Sequence, residues 1–108
     1  MIKFNLVVTR HQGLVDYLLA EGLIDDDTRV VTHASKRDVL HKHVIGVLPH
    51  SLSAMTKTFS EIPLDLPPEM RGKELSVADI RLYKGVLTTY CVYIPDSDIL
   101  NEFYPDQE

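Results

Sequence analysis

The chain has 108 residues, 44% of them hydrophobic, and a formal net charge of -5; a domain of this size buries roughly two-thirds of its unfolded surface, so one core is expected and a second independent one is not. The acidic balance argues against wrapping a long polynucleotide, which needs a basic face to displace counterions from many phosphates, while leaving room for a small anion held by a few local cations. The single cysteine, Cys91, cannot form an internal disulfide, and no stretch reaches the roughly 20 apolar residues that span a bilayer, so the expectation is a cytoplasmic protein with no membrane partner.

Ile2 to Val8 alternates weakly and then runs apolar, as a strand buried on both faces does. Thr9 to Gly13 breaks it, and Leu14, Val15, Leu18 and Leu19 then recur at helical spacing up to Gly22, a residue suited to a left-handed C-terminal cap. An acidic turn, Asp25 to Asp27, leads to a short β-branched strand from Arg29 to Thr32, closed by His33. Residues 34–42 are polar and short for a crossover helix, although extended chain with one helical turn can pass a single strand. Val44 to Leu48 predicts a third strand, and Pro49 opens a helix that carries Leu52 and Met55 on one face. Ile62 to Leu66 predicts a fourth strand, edge or irregular because of Pro63, and Pro67-Pro68 stops it. Ser76 and Asp79 form a capping box with a short acid, opening a helix whose buried stripe is Val77, Ile80 and Tyr83 and which ends at Gly85. Val86 to Ile94 is the longest strand candidate, terminated by Pro95, and an acidic tail follows over 96–108.

Strands alternating with helices predict a single α/β domain over residues 1–95, a mostly parallel sheet flanked by helices in three layers. In such a sheet the segments 9–13, 46–50 and 66–75 follow strand C-termini, where open α/β folds bind ligands. GxGxxG, GxxxxGK[ST] and paired CxxC are absent, so no dinucleotide, triphosphate or zinc signature is present and no cofactor is expected.

Thr9, Arg10, His11 and Gly13 form the strongest constellation: hydroxyl, guanidinium and imidazole emerge together just before a helix whose free amides favour an anion. Arginine can hold two phosphate oxygens, and an imidazole with an unperturbed pKa near ~6.5 can move a proton at neutral pH. The plainer alternative is that Thr9 caps the helix, Arg10 is solvated and His11 fills a turn. Pro49, His50 and Ser51 occupy the equivalent position after the third strand, either as base and phosphate contacts or simply as the start of a helix. Arg71, Gly72, Lys73 and Glu74 place two cations and a carboxylate on a loop that either closes over a ligand, with Glu74 orienting Arg71 or a ribose hydroxyl, or is a solvated turn. His41 and His43, spaced to share one side of a strand with His33 nearby, lack the further ligands of a recognisable metal site, so no metal is expected. Cys91, between Tyr90 and Val92, reads as a packed thiol.

The string Val7-Val8-Thr9-Arg10-His11-x-Gly13, with Tyr17-Leu18, Val44-Ile45-Gly46-x-Leu48-Pro49, Leu66-Pro67 and Arg71-Gly72-x-Glu74-Leu75-Ser76, resembles a small family of CRISPR-associated accessory proteins encoded beside type III systems and described by their VVTRH start. The resemblance spans about residues 6 to 85; this chain has Lys42-His43 where the family tends to have Gly-Asp. It implies a Rossmann-like core related to the CARF domains that sense cyclic oligoadenylates. It further implies a ring nuclease that cuts this second messenger to end the antiviral response, and carries over Thr9, Arg10 and His11, then Pro49, Arg71 and Glu74, as site residues. With the residue reading added, the expected catalytic groups are Thr9, Arg10 and His11, and the expected ligand contacts are Gly13, Pro49, His50, Ser51, Arg71 and Glu74.

The expected reaction is metal-independent attack of a ribose 2'-OH of cyclic tetra-adenylate on its neighbouring phosphorus, performed by a homodimer because a two-fold ligand suits a two-fold axis. Two other functions fit the same loops: a sensor that binds the ring without cutting it, and a protein-interaction adaptor with no nucleotide site.

Overall fold

Leu6–Val8 (β1) is an interior strand of the sheet, and every one of its side chains has apolar company: all three residues are buried. The computed structural model describes residues 3–96 and Asp98. After β1 come Gln12–Ala20 (α1), Arg29–Val31 (β2), Lys36–Val39 (α2), His43–Gly46 (β3), His50–Ser53 (α3), Thr58–Glu61 (β4), a 3-10 turn over Pro68–Met70, Val77–Tyr83 (α4) and Thr88–Tyr90 (β5). Strand order is β2-β1-β3-β4-β5; β1 to β4 are parallel and β5 pairs antiparallel with β4. This is the single α/β domain with a mostly parallel, helix-flanked sheet that the alternation of strand and helix predicted.

Alternation along the strands builds two cores. Val7 and Ile45 face α1 and α4, packing with Val15, Leu18, Leu75 and Ile80. Leu6, Val8, Val44 and Phe59 face the other way, onto Val39 of α2 and the partly buried Leu52 and Met55. Each fully buried aliphatic side chain of this kind contributes about 1.5–3 kcal/mol relative to exposure.

Local signals fixed several ends. Gly22 (φ +70) follows the α1 cap Glu21, with Leu23 N–H donating to Leu18 (2.9 Å) and Gly22 N–H to Leu19 (3.1 Å), the paired bonds of a Schellman ending. At α4, Ser76 N–H donates to Asp79 Oδ2 (3.0 Å) and Asp79 N–H to Ser76 Oγ (3.1 Å), completing the capping box.

Other expectations need correction. The first strand is shorter than Ile2–Val8: Ile2 lies outside the described residues, and Asn5 meets β3 partly through its side chain, whose Oδ1 accepts from His43 N–H at 2.9 Å. The fourth strand is Thr58–Glu61 and not Ile62–Leu66. Pro63 has no N–H to give a ladder, so Ile62, Leu64 and Leu66 pack against the first core while only Leu64 bridges, antiparallel, to Lys84. The long last strand contracts to Thr88–Tyr90, and Val86, Tyr93 and Ile94 stand exposed. The helix after Pro49 is a single turn. His41 sits in the turn before β3 with φ +59, so it does not share a strand with His43. The acidic tail from 96, apart from Asp96 and Asp98, lies outside the described residues. Among those described, no helix is long and apolar enough to cross a membrane.

Candidate functional site

The order β2-β1-β3 makes β1 the strand where the chain changes direction across the sheet. The helix after β1 packs on one face and the turn after β3 on the other, so their loops part at the strand C-termini and leave a crevice, the usual ligand position in open α/β sheets.

Thr9 fixes the first wall. It is buried, its N–H continues the ladder to Val31 (3.0 Å), and its Oγ1 accepts from His11 N–H (3.1 Å), which turns the chain out of the sheet. Arg10 and His11 then line one cleft of about 360 Å3 together with Thr9, Thr32, His33 and Val47. Arg10 Nη2 lies 3.3 Å from His33 Nε2; since guanidinium only donates, the imidazole accepts through an unprotonated Nε2. His11 is the N-cap residue of α1 but makes no side-chain cap, and the first turn holds no acidic residue. Leu14 N–H turns back to the His11 carbonyl at 3.1 Å, while the Gln12 and Gly13 amides open the helix with no preceding turn to bond to, so the rim is compatible with an anion.

Gly13 is buried against the following loop: a Cβ there would overlap the Leu75 carbonyl. Its absence of a side chain brings the segment after Arg71 alongside α1. Gly46 (φ +135) similarly presses on Val8, and Val47 N–H donates to the Val8 carbonyl at 2.9 Å. The chain then swings outward, leaving Val47 74% exposed.

Val47 becomes a ridge between clefts. Beneath His11 lies an apolar one of about 250 Å3, walled by Leu14, Ile45, Leu75 and Ile80. On the β4 side lies another of about 310 Å3, lined by His50, Phe59, Glu61, Tyr90 and Val92 among others. There Tyr90 O–H donates to Glu61 Oε1 at 3.1 Å, and that bond, followed by burial, raises the phenol's pKa above its ordinary 10.0.

The structure thus brings Thr9, Arg10 and His11 together and places His50 in an adjoining cleft. Pro49 is the exposed cap of α3; Ser51 is exposed and lines none of these clefts, whereas Ser53, buried, does. Arg71, Gly72 and Glu74 are exposed on their loop and stand outside the three cleft walls, which that loop reaches only through Leu75. His33, Glu61 and Tyr90 are the residues sequence reasoning did not place here. Only strand order could have located them, since β2 and β4 end at the same rim as β1 and β3. His43 lies at the other end of the sheet, with Nδ1 2.7 Å from Thr58 Oγ1. Among the described residues no group of three or more His, Cys, Asp or Glu is arranged to hold a metal ion.

Comparison with known proteins places residues 6–93 in the family described as "Putative CRISPR-associated protein (Cas_VVA1548)". No curated protein and no solved structure matches the chain. The matched span runs from the start of β1 to beyond β5 and takes in every element that builds the crevice. The chain belongs to this CRISPR-associated protein family.

Proposed function

We propose that this protein is a ring nuclease of type III CRISPR defence, binding cyclic oligoadenylate, with cyclic tetra-adenylate as first substrate, and cutting it in the cytoplasm to switch off signalling. The observation that carries this reading is the shared cleft: Arg10 and His11 line one concavity at the C-terminal end of β1, beside the amides that open α1. A cation, an imidazole and amide dipoles around one anion suit a reaction whose demands are alignment and charge neutralisation.

The step needs no water. A ribose 2'-oxygen attacks the adjacent phosphorus as its proton leaves to a base; the bond from phosphorus to the 5'-oxygen breaks, and that oxygen takes up a proton. The products are linear adenylates ending in a 2',3'-cyclic phosphate. Arg10 neutralises the phosphoryl oxygens, His11 moves a proton at the 2'- or 5'-oxygen, and Thr9 holds the turn that presents both. Arg71 and Glu74, on an exposed loop beside the start of α1, close on the ligand from outside. A homodimer would set two such crevices around a two-fold ring.

The test is incubation of the protein with cyclic tetra-adenylate and EDTA, followed by chromatographic separation of products. Linear product with a cyclic phosphate end supports the proposal. An intact ring under excess enzyme rejects it for that substrate, and cleavage only on adding divalent metal rejects the mechanism. Tight binding without turnover assigns the protein instead to sensing or sequestration, since binding phosphate does not by itself accelerate attack.

A further inference from the structure

We infer that the cleft on the β4 side of Val47 is a nucleobase seat that selects adenine through Glu61 and Tyr90. The inference rests on the cyclic oligoadenylate reading for the position of the phosphate, and on the cleft itself for the chemistry of the base.

Sheet geometry assembles the seat. Phe59 and Tyr90 are register partners across β4 and β5, and Glu61 lies two residues beyond Phe59 on the same strand. Residues two apart share a sheet face, and diagonal neighbours across a pair are within reach of long side chains. Phe59, Glu61 and Tyr90 consequently project on one side, where Tyr90 O–H reaches Glu61 Oε1 at 3.1 Å. Phe59, Val92 and Val47 supply apolar wall, and His50 stands at the start of α3. At about 310 Å3 the cleft falls at the small end of small-molecule sites, roughly 300–1,000 Å3. The cleft beneath His11 has Thr9 and His11 as its polar side chains and no carboxylate among its walls.

The pair has a readable pattern. A carboxylate only accepts, and a phenol has one hydrogen to donate. The phenol hydrogen now rests on Glu61. With adenine seated, the 6-amino group donates to Glu61 and the phenol hydrogen turns to the ring nitrogen N1. A phenol, with an ordinary pKa of 10.0, keeps that hydrogen at neutral pH. Hypoxanthine in the same pose presents a carbonyl oxygen to the carboxylate and an N–H to the phenol, reversing both contacts. The pose is constrained because Val47 belongs both to this cleft and to the one lined by Arg10 and His11, so phosphate and base of one nucleotide occupy opposite sides of a single side chain.

The experiment uses the full chain, isotope-labelled, titrated with adenosine, inosine and guanosine 5'-monophosphates while the resonances of Val47, Tyr90 and Val92 are followed. The adenine nucleotide is expected to shift all three and to bind at least about tenfold tighter than the other two. Glu61→Met is expected to erase that preference, and Tyr90→Phe to weaken adenine binding while leaving Glu61 and the fold intact. The same variants are then compared on cyclic tetra-adenylate and cyclic tetra-inosinate. Rings that are bound and cut without adenine preference, or a preference that survives Glu61→Met and Tyr90→Phe, overturn the seat and leave the ring-nuclease reading standing. Adenine-selective shifts at these residues in a protein that binds neither ring leave the seat standing and overturn that reading. No shift with any nucleotide or ring overturns both.

Discussion

Arg10 and His33, 23 positions apart in sequence, meet at 3.3 Å between Nη2 and Nε2 because β1 and β2 are parallel neighbours that end at the same rim. The imidazole gives an otherwise exposed guanidinium a fixed direction across the cleft. Under the proposed mechanism, Arg10→Ala lowers the metal-free cleavage rate by about 10²- to 10³-fold, the usual effect of removing a donor to developing phosphoryl charge. His33→Ala lowers it less, and adding it to Arg10→Ala changes nothing further, because its contribution runs through the arginine. Single-turnover rates of the four proteins check this; equal and independent losses contradict the assignment.

His11→Ala removes the proton carrier while leaving the turn, whose bond to Thr9 uses the His11 backbone amide. Ring affinity by calorimetry is expected to stay within a few-fold while turnover falls by about 10²- to 10⁴-fold. Unchanged turnover takes His11 out of the chemistry.

Gly13→Ala and Gly46→Ala test the close approaches that shape the crevice. Added methyl groups would overlap the Leu75 and Val8 carbonyls, and backbone atoms cannot step aside as a flexible side chain does. Overpacking of this kind costs about 1–3 kcal/mol, and Gly46 adds the strain of φ +135. Chemical denaturation is expected to show both variants destabilised, Gly46→Ala more so.

Asp38 ties the start of α2 to β2. Its Oδ2 accepts from Ser35 N–H (2.8 Å) and Ser35 Oγ (3.0 Å), and its Oδ1 from Arg29 (2.8 Å). Those bonds, Ser35 first and Arg29 next, hold its carboxyl at about 2 against an ordinary 3.8. A depressed carboxyl pKa stabilises the folded state fully above 3.8, and this contribution is lost as pH falls toward 2. Thermal melts are therefore expected to show Asp38→Ala below wild type at pH 7, with the gap narrowing between pH 4 and 2 as Asp38 protonates. A gap independent of pH contradicts the ionised role.

Ile80, fully buried where α4 meets α1, anchors the helix that closes one face of the sheet. Ile80→Ala is expected to cost about 2–5 kcal/mol by loss of buried surface and creation of a cavity. For a domain near this size that is a fall in Tm on the order of 10 °C or more, readable by calorimetry.

Features governed by neighbours along the chain were legible from residues alone. Gly22 and the Ser76–Asp79 pair mark helix ends because their hydrogen bonds close within a few residues, and the stretch Ile2 to Val8 reads as a buried strand because its closing side chains are all apolar, although only Leu6–Val8 joins the ladder. The clustering of Thr9, Arg10 and His11 was legible for the same reason. Features governed by distant partners were not. Thr58–Glu61 carries one large apolar residue and becomes a strand only because β3 and β5 pair on either side of it, while Pro63 denies that ladder to the more apolar stretch that follows. His33 beside Arg10, and Glu61 beside Tyr90, are products of strand order and register, which hydrophobic periodicity does not encode. Composition and spacing determined the class of fold and the first wall of the crevice. Tertiary pairing alone decided its opposite wall, since the parallel β3–β4 pair and the antiparallel β4–β5 pair bring together residues that the chain itself keeps far apart.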